Sequence, residues 1–233
     1  MTQPTRAQRR AASRKPEPTS SASRWLLPAA AIVLLGVGGL AWFLGQGGGA
    51  GATPSAAPSV GASSSSVAEI GAPVITGTPL PKFTSPTDDP AVGLAAPVVQ
   101  GHDYAGAPVA IEPNGRVQMV IFAAHWCPHC QREIPVIQAW VNDGGLPDDV
   151  DIVTVSTGID PSAPNYPPEA WFEREGWTAP VIVDETNSVA TAYGLASYPF
   201  FVVLDGTGNV FARFSGEIPT DDLERILASV PRS

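Results

Sequence analysis

The segment VQMVIFAAHWCPHCQREIPVIQAWVN, residues 117–142, decides the reading of this 233-residue chain. Residues 117–124 are apolar apart from Gln118, as expected of a central strand covered on both faces. The run leads into Cys127 and Cys130, the only two cysteines present. Beyond them Ile134, Val136, Ile137, Trp140 and Val141 recur at helical spacing, and Asp143-Gly144-Gly145 ends the pattern. A strand, a sharp turn and a helix opening at Cys-x-x-Cys is the layout of a dithiol–disulfide redox site.

Working outward toward the C-terminus, residues 152–155 and 181–184 read as further strands. The proline-rich stretch 160–168 is a loop, residues 169–176 a short amphipathic helix, and 188–193 a helix stopped by Gly194. Residues 200–204 and 210–214 flank Asp205-Gly206-Thr207-Gly208-Asn209, a β-hairpin signal. A closing helix over 221–230 carries Leu223, Ile226, Leu227 and Val230 on one face, with Thr220 or Asp221 as its cap. On the other side, residues 98–99 and 108–111 suggest an N-terminal hairpin, followed by the Asn114-Gly115 turn. The expected fold is α/β, a mixed central sheet with helices on both faces, as one domain over 94–233.

The first 93 residues differ in kind. Residues 1–24 are a basic tail with Arg6, Arg9, Arg10, Arg14, Lys15 and Arg24 against one acid, Glu17. Residues 25–44 hold no charge, with Trp25 and Trp42 near the ends. At about 1.5 Å per residue this run spans roughly 30 Å, the hydrocarbon thickness of a bilayer. It is expected to be a transmembrane signal-anchor helix, with the basic side cytoplasmic and the rest of the chain extracytoplasmic. A cleaved signal peptide is the competing reading, with Ala50-Gly51-Ala52 as a small-residue site, though the apolar run is long for one. Residues 45–93, rich in Gly, Ala, Ser and Pro, are expected to be a flexible linker, with Val74-Ile75 a short apolar piece left inside it. From residue 45 onward there are 7 basic and 21 acidic side chains, so no nucleic-acid partner is expected.

The pair has a specific chemistry. A helix N-terminus offers free N–H groups and the positive end of its dipole, which favour a thiolate at Cys127. Cys127 is expected to be exposed there, with Cys130 one turn later and more buried. Pro128 suits the first helical position, and His129 adds a donor that further stabilises the thiolate. A steadier thiolate makes the disulfide more oxidising. Three other readings compete. A structural disulfide closing so small a loop constrains little. Zinc lacks further ligands, since only His102, His125 and His129 remain. Haem attachment requires His where Gln131 stands.

Trp126-Cys127-x-x-Cys130, with Pro135 five residues on and Tyr198-Pro199 about 70 residues later, resembles the thioredoxin superfamily. Gly101-x-Asp103-Tyr104-x-Gly106 and Val189-Ala190-x-x-Tyr193-Gly194 extend the resemblance to its membrane-anchored TlpA/ResA-like members. The resemblance implies a thioredoxin-like fold from about Leu94, and a cis peptide before Pro199 that, with Tyr198, binds the substrate backbone. It also implies a kinked first helix at Pro135 and Trp126 beside the active site. Glu133, three residues after Cys130 on the same helix face, matches a glutamate that tunes the cysteines; the plainer reading is a solvated charge beside Arg132.

Two departures matter. Ile121 stands where thioredoxin has an aspartate under the cysteines. The dipeptide between the cysteines is Pro-His, as in the oxidase DsbA, rather than the Glu-Pro common in ResA-like reductants. The expected function is an extracytoplasmic thiol–disulfide oxidoreductase, leaning toward disulfide formation, acting on thiols or disulfides of exported proteins. A membrane redox partner would recycle the pair. No metal or organic cofactor is expected beyond the Cys127–Cys130 disulfide, and a monomer is expected. A reductant in cytochrome c maturation is the first alternative, a redox-inactive binding domain the second.

Overall fold

The computed structural model describes residues 71–232. The expected tail at 1–24, the spanning helix at 25–44 and residues 45–70 of the linker lie outside the described residues. Among the described residues no helix is long and apolar enough to cross a membrane.

The central sheet is built on β4 (Val117–Ala123), every residue of which is buried. Beside it run β5 (Val150–Thr157) in parallel and β7 (Phe200–Leu204) in antiparallel pairing. β6 (Val181–Asp184) closes one edge and β8 (Val210–Ser215) the other, giving the order β6-β5-β4-β7-β8. The register runs from Val117 opposite Val150 to Ala123 opposite Ser156. This is the mixed sheet that strands alternating with helices imply, and the fold is thioredoxin-like.

The two faces of β4 separate by the two-residue period of a strand. Val117, Met119, Ile121 and Ala123 point toward α1 (Pro128–Asn142), α2 (Pro168–Arg174) and α4 (Thr220–Ser229), meeting Ile134, Ile137, Trp171, Leu223 and Leu227. Val120 and Phe122 point the other way, toward α3 (Ser188–Ala192) and a small antiparallel sheet. That small sheet has the order β1-β2-β3, from β1 (Val74–Thr76), β2 (Val98–His102) and β3 (Pro108–Ile111).

Residues 71–93 depart from the expected linker. Val74 pairs opposite Gln100, so the short apolar piece becomes a third strand. The Leu80 and Phe83 N–H groups donate to Ala192 and Gly194 at 2.8 Å, and both side chains enter the core. The Phe83 ring lies 5.3 Å from that of Phe200. Asp89 forms a buried pair with Arg213 at 2.5 and 2.7 Å, and Arg213 also donates to the carbonyls of Pro81 and Tyr193. Burial works against the Asp89 charge, but Arg213 and the Ala91 N–H hold its carboxyl below the usual range. These anchors are isolated side chains among prolines, so they form no periodic pattern.

Smaller differences concern helix ends. Neither Thr220 nor Asp221 caps α4; Pro219 occupies that position without a side-chain cap. Asp184, at the end of β6, accepts the Val189 and Ala190 N–H groups at 3.2 and 3.0 Å, tying the start of α3 to the sheet. Pro135 does lie inside α1.

Candidate active site

Cys127 takes the N-cap position of α1, with Pro128 first in the helix. Its backbone is extended at φ −72° and ψ 120°, and no side chain caps the helix N-terminus. The free N–H end of α1 therefore begins at the thiol. Both cysteines are free thiols. Cys130 is fully buried, as expected, but Cys127 is only 6% exposed, a correction to the exposed thiol anticipated from sequence. Its burial follows from its neighbours. Cys127 Sγ lies 3.8 Å from the Tyr198 carbonyl, and Tyr198 meets the Trp126 ring edge-on at 5.9 Å.

The Tyr198–Pro199 peptide is cis, as the resemblance implied. Trp126 remains partly exposed and donates Nε1–H to the Gly158 carbonyl at 2.6 Å. Position 158 needs glycine twice over: its φ is +63°, and a Cβ there would stand 2.8 Å from the Tyr198 hydroxyl. Beneath the pair, Ile121 is completely buried, so an apolar side chain fills the position where an acid would approach the cysteines.

Glu133 is 3% exposed. One oxygen accepts the Ile218 N–H at 3.1 Å. Burial pushes its carboxyl up to about 7, the Ile218 N–H opposes that, and the Glu217 charge adds to it. The solvated charge beside Arg132 is thus not what forms, because Arg132 turns to Glu217 instead, at 2.5 Å. Burial also pushes the Cys130 thiol well up, with smaller contributions from Cys127 and Glu133.

His129 is exposed, and its Nδ1 lies 2.7 Å from Glu217 Oε1. The Arg132 guanidinium reaches the same oxygen, and its Nη2 sits 2.9 Å from Nδ1. One Nδ1 cannot both accept from Arg132 and donate to Glu217. The carboxylate is the shared acceptor, so His129 donates to Glu217 rather than toward Cys127. These two donors hold the Glu217 carboxyl below its usual range. Pro128, His129 and Glu133 therefore come together with Cys127 and Cys130, but His129 does so through Glu217.

Glu217 was not legible as a site residue. It follows β8 with no motif, and only the fold brings it to the cysteine turn. The segment Gly216-Glu217-Ile218 touches three expected site residues. The Gly216 N–H donates to the Pro199 carbonyl at 2.9 Å, Glu217 holds His129, and the Ile218 N–H holds Glu133. Among the described residues no cluster of His, Cys, Asp or Glu has the grouping of a metal site. Among the described residues a groove of about 900 Å³ runs past Val109, Ile152, Phe172 and Trp177 and touches neither cysteine.

Comparison with known proteins agrees with this geometry. The redoxin family model matches residues 76–229. The thiol-disulfide oxidoreductase ResA of Geobacillus kaustophilus is 28% identical over 149 residues, 60% of this chain and 78% of that protein. The sporulation thiol-disulfide oxidoreductase A of Bacillus subtilis is 23% identical over 119 residues, 51% of this chain and 71% of that protein. In fold, the chain is similar to a DsbF homologue from Corynebacterium diphtheriae, with TM-score 0.50 and 18% identity over 65% of this chain and 99% of that one.

Proposed function

The chain belongs to the redoxin family and is a thiol–disulfide oxidoreductase; from that premise we propose that it exchanges disulfides with exported proteins through Cys127 and Cys130, in the direction of disulfide formation. The observation that carries the exchange is the pairing of Cys127 at the uncapped N-terminus of α1 with a buried Cys130 one turn on. In this reaction a substrate thiolate attacks Cys127 Sγ of the Cys127–Cys130 disulfide, and the Cys130 thiolate leaves. Burial makes that thiolate costly, and in this reading Glu133 passes it a proton. A second substrate thiolate then attacks the substrate sulfur of the mixed disulfide and releases Cys127. Two substrate thiols have become one disulfide, and two electrons remain on the pair.

Trp126, Tyr198 and Pro199 border Cys127, and in this reading Tyr198 and Pro199 bind the substrate backbone. The free N–H end of α1 at Cys127, opened by Pro128, supports the oxidising direction, while His129, bonded to Glu217, adds no donor to the thiolate. The uncharged run at 25–44, read as a membrane anchor, supports an extracytoplasmic site recycled by a membrane redox partner. In this reading the pair itself is the only redox group required, and the protein acts as a monomer. A second reading, a ResA-like reductant, is favoured by Glu133 beside Cys130 and by the named relatives. There Cys127 attacks a substrate disulfide and Cys130 resolves the adduct.

The test is trapping. Cys130→Ala should accumulate mixed disulfides on non-reducing gels as Cys127 attacks client-protein disulfides and no Cys130 resolves the adduct, and Cys127→Ser should form none and lose exchange. Activity intact in Cys127→Ser overturns the reading. In intact cells, a thiol reagent that cannot cross the membrane should label the reduced pair; labelling only after lysis overturns the assigned side.

A further inference from the structure

His125, two residues before Cys127, has no part in the exchange described above, yet it is 1% exposed and heavily engaged. The Asp160 N–H points at Nε2 at 3.2 Å, which makes that nitrogen the unprotonated acceptor. Nδ1 therefore carries the proton and donates to the Pro164 carbonyl at 2.8 Å. The His125 carbonyl accepts from Asn165 Nδ2 at 3.1 Å, while Arg174 donates to the other end of that amide at 2.8 Å. One imidazole and its own peptide thus fasten both limbs of the loop that follows β5.

The far end of this loop is tied to the site as well. The Gly158 carbonyl receives the Trp126 indole N–H, and the Gly158 N–H donates to Asn187 Oδ1 at 2.6 Å. Tyr166, near the other end, lies edge-on to the His125 ring at 6.1 Å and is half exposed. Trp126 is exposed by about a third. A surface loop is mobile by default, and few apolar contacts hold this one. Its polar bonds to His125 hold a loop that meets the Trp126 indole at Gly158 and carries the Tyr166 ring against His125.

We propose that His125 is a positioning residue for the exchange: it holds residues 158–167 as one wall of the substrate cleft, where Tyr166 and Trp126 meet an apolar side chain flanking the substrate's reacting cysteine. The inference rests on the reading of the pair as acting on protein thiols and disulfides, and adds which polypeptides it favours. A thiol or disulfide lacking that neighbouring side chain cannot use the wall.

The test compares the full-length protein on two cysteine peptides that differ only in a Phe or a Ser next to the cysteine. The wild type should favour the Phe peptide. His125→Phe keeps an aromatic ring there and removes both ring hydrogen bonds. Asn165→Gly loosens the loop from its own side, at a position with φ +64° that glycine adopts readily. In both variants the preference for the Phe peptide should fall about fivefold, with the change in KM rather than kcat. If one variant does not fold, the other still decides. A wild type that exchanges with both peptides equally, or variants that lose both alike, overturns the wall while leaving the exchange intact. A wild type that exchanges with neither peptide overturns the exchange reading itself.

Discussion

Glu133 has a carboxyl that its surroundings keep protonated longer than usual, and this fixes a sign. Below its ordinary value of 4.5, folded and unfolded chains both hold the proton. As pH rises from there toward about 7, the unfolded chain releases it first, so stability is lost across that window. Glu133→Gln keeps an acceptor for the Ile218 N–H and removes the titration. The urea midpoint of the wild type should therefore fall relative to Glu133→Gln between those values; a constant difference contradicts the buried carboxyl. At this level the sequence was informative about chemistry and poor about partners. Cys127, Cys130, Glu133 and Pro199 were identifiable from spacing and resemblance, because their neighbours along the helix and strand are local. Glu217 and the ring contacts of His125 were not, because they join residues 88 and 39 positions apart.

The elements hold these residues through their ends. α1 presents Cys127 because its first N–H groups lack a side-chain cap, while α3 is fixed by a side chain from another strand. Asp184 is fully buried and holds two N–H groups at the start of α3, just before Tyr193 and the turn toward Tyr198–Pro199. Asp184→Ala should cost about 1–2 kcal/mol, as loss of a helix cap does, measured by urea unfolding. An unchanged midpoint contradicts a capping role. The sequence located β4, α1 and the β7–β8 hairpin within a residue or two, since each has a full apolar period and a turn signal. It misassigned the cap of α4, because Thr220 and Asp221 both suit one by residue type, while the backbone enters the helix a residue earlier, at Pro219.

The packed body reaches further toward the N-terminus than composition suggested. Gly, Pro and Ser give residues 71–93 the look of a linker, but Leu80, Phe83 and Asp89 each find a partner from the far end of the chain. A chain beginning at Leu94 should be markedly less stable than one beginning at Gly71; equal midpoints contradict the packing of this segment. Arg213→Ala leaves Asp89 buried without its partner and should cost about 3–5 kcal/mol, whereas replacing both by apolar residues should cost much less. The same body brings the cysteine turn, the cis Tyr198–Pro199 peptide and the segment Gly216-Glu217-Ile218 to one end of the sheet. The direction in which that site passes electrons is the central claim, and the reduction potential of the Cys127–Cys130 pair tests it most directly. Equilibration with glutathione buffers at pH 7 should give a value toward the about −120 mV of a strong oxidant, and a value near about −270 mV, that of thioredoxin, would contradict the oxidising assignment.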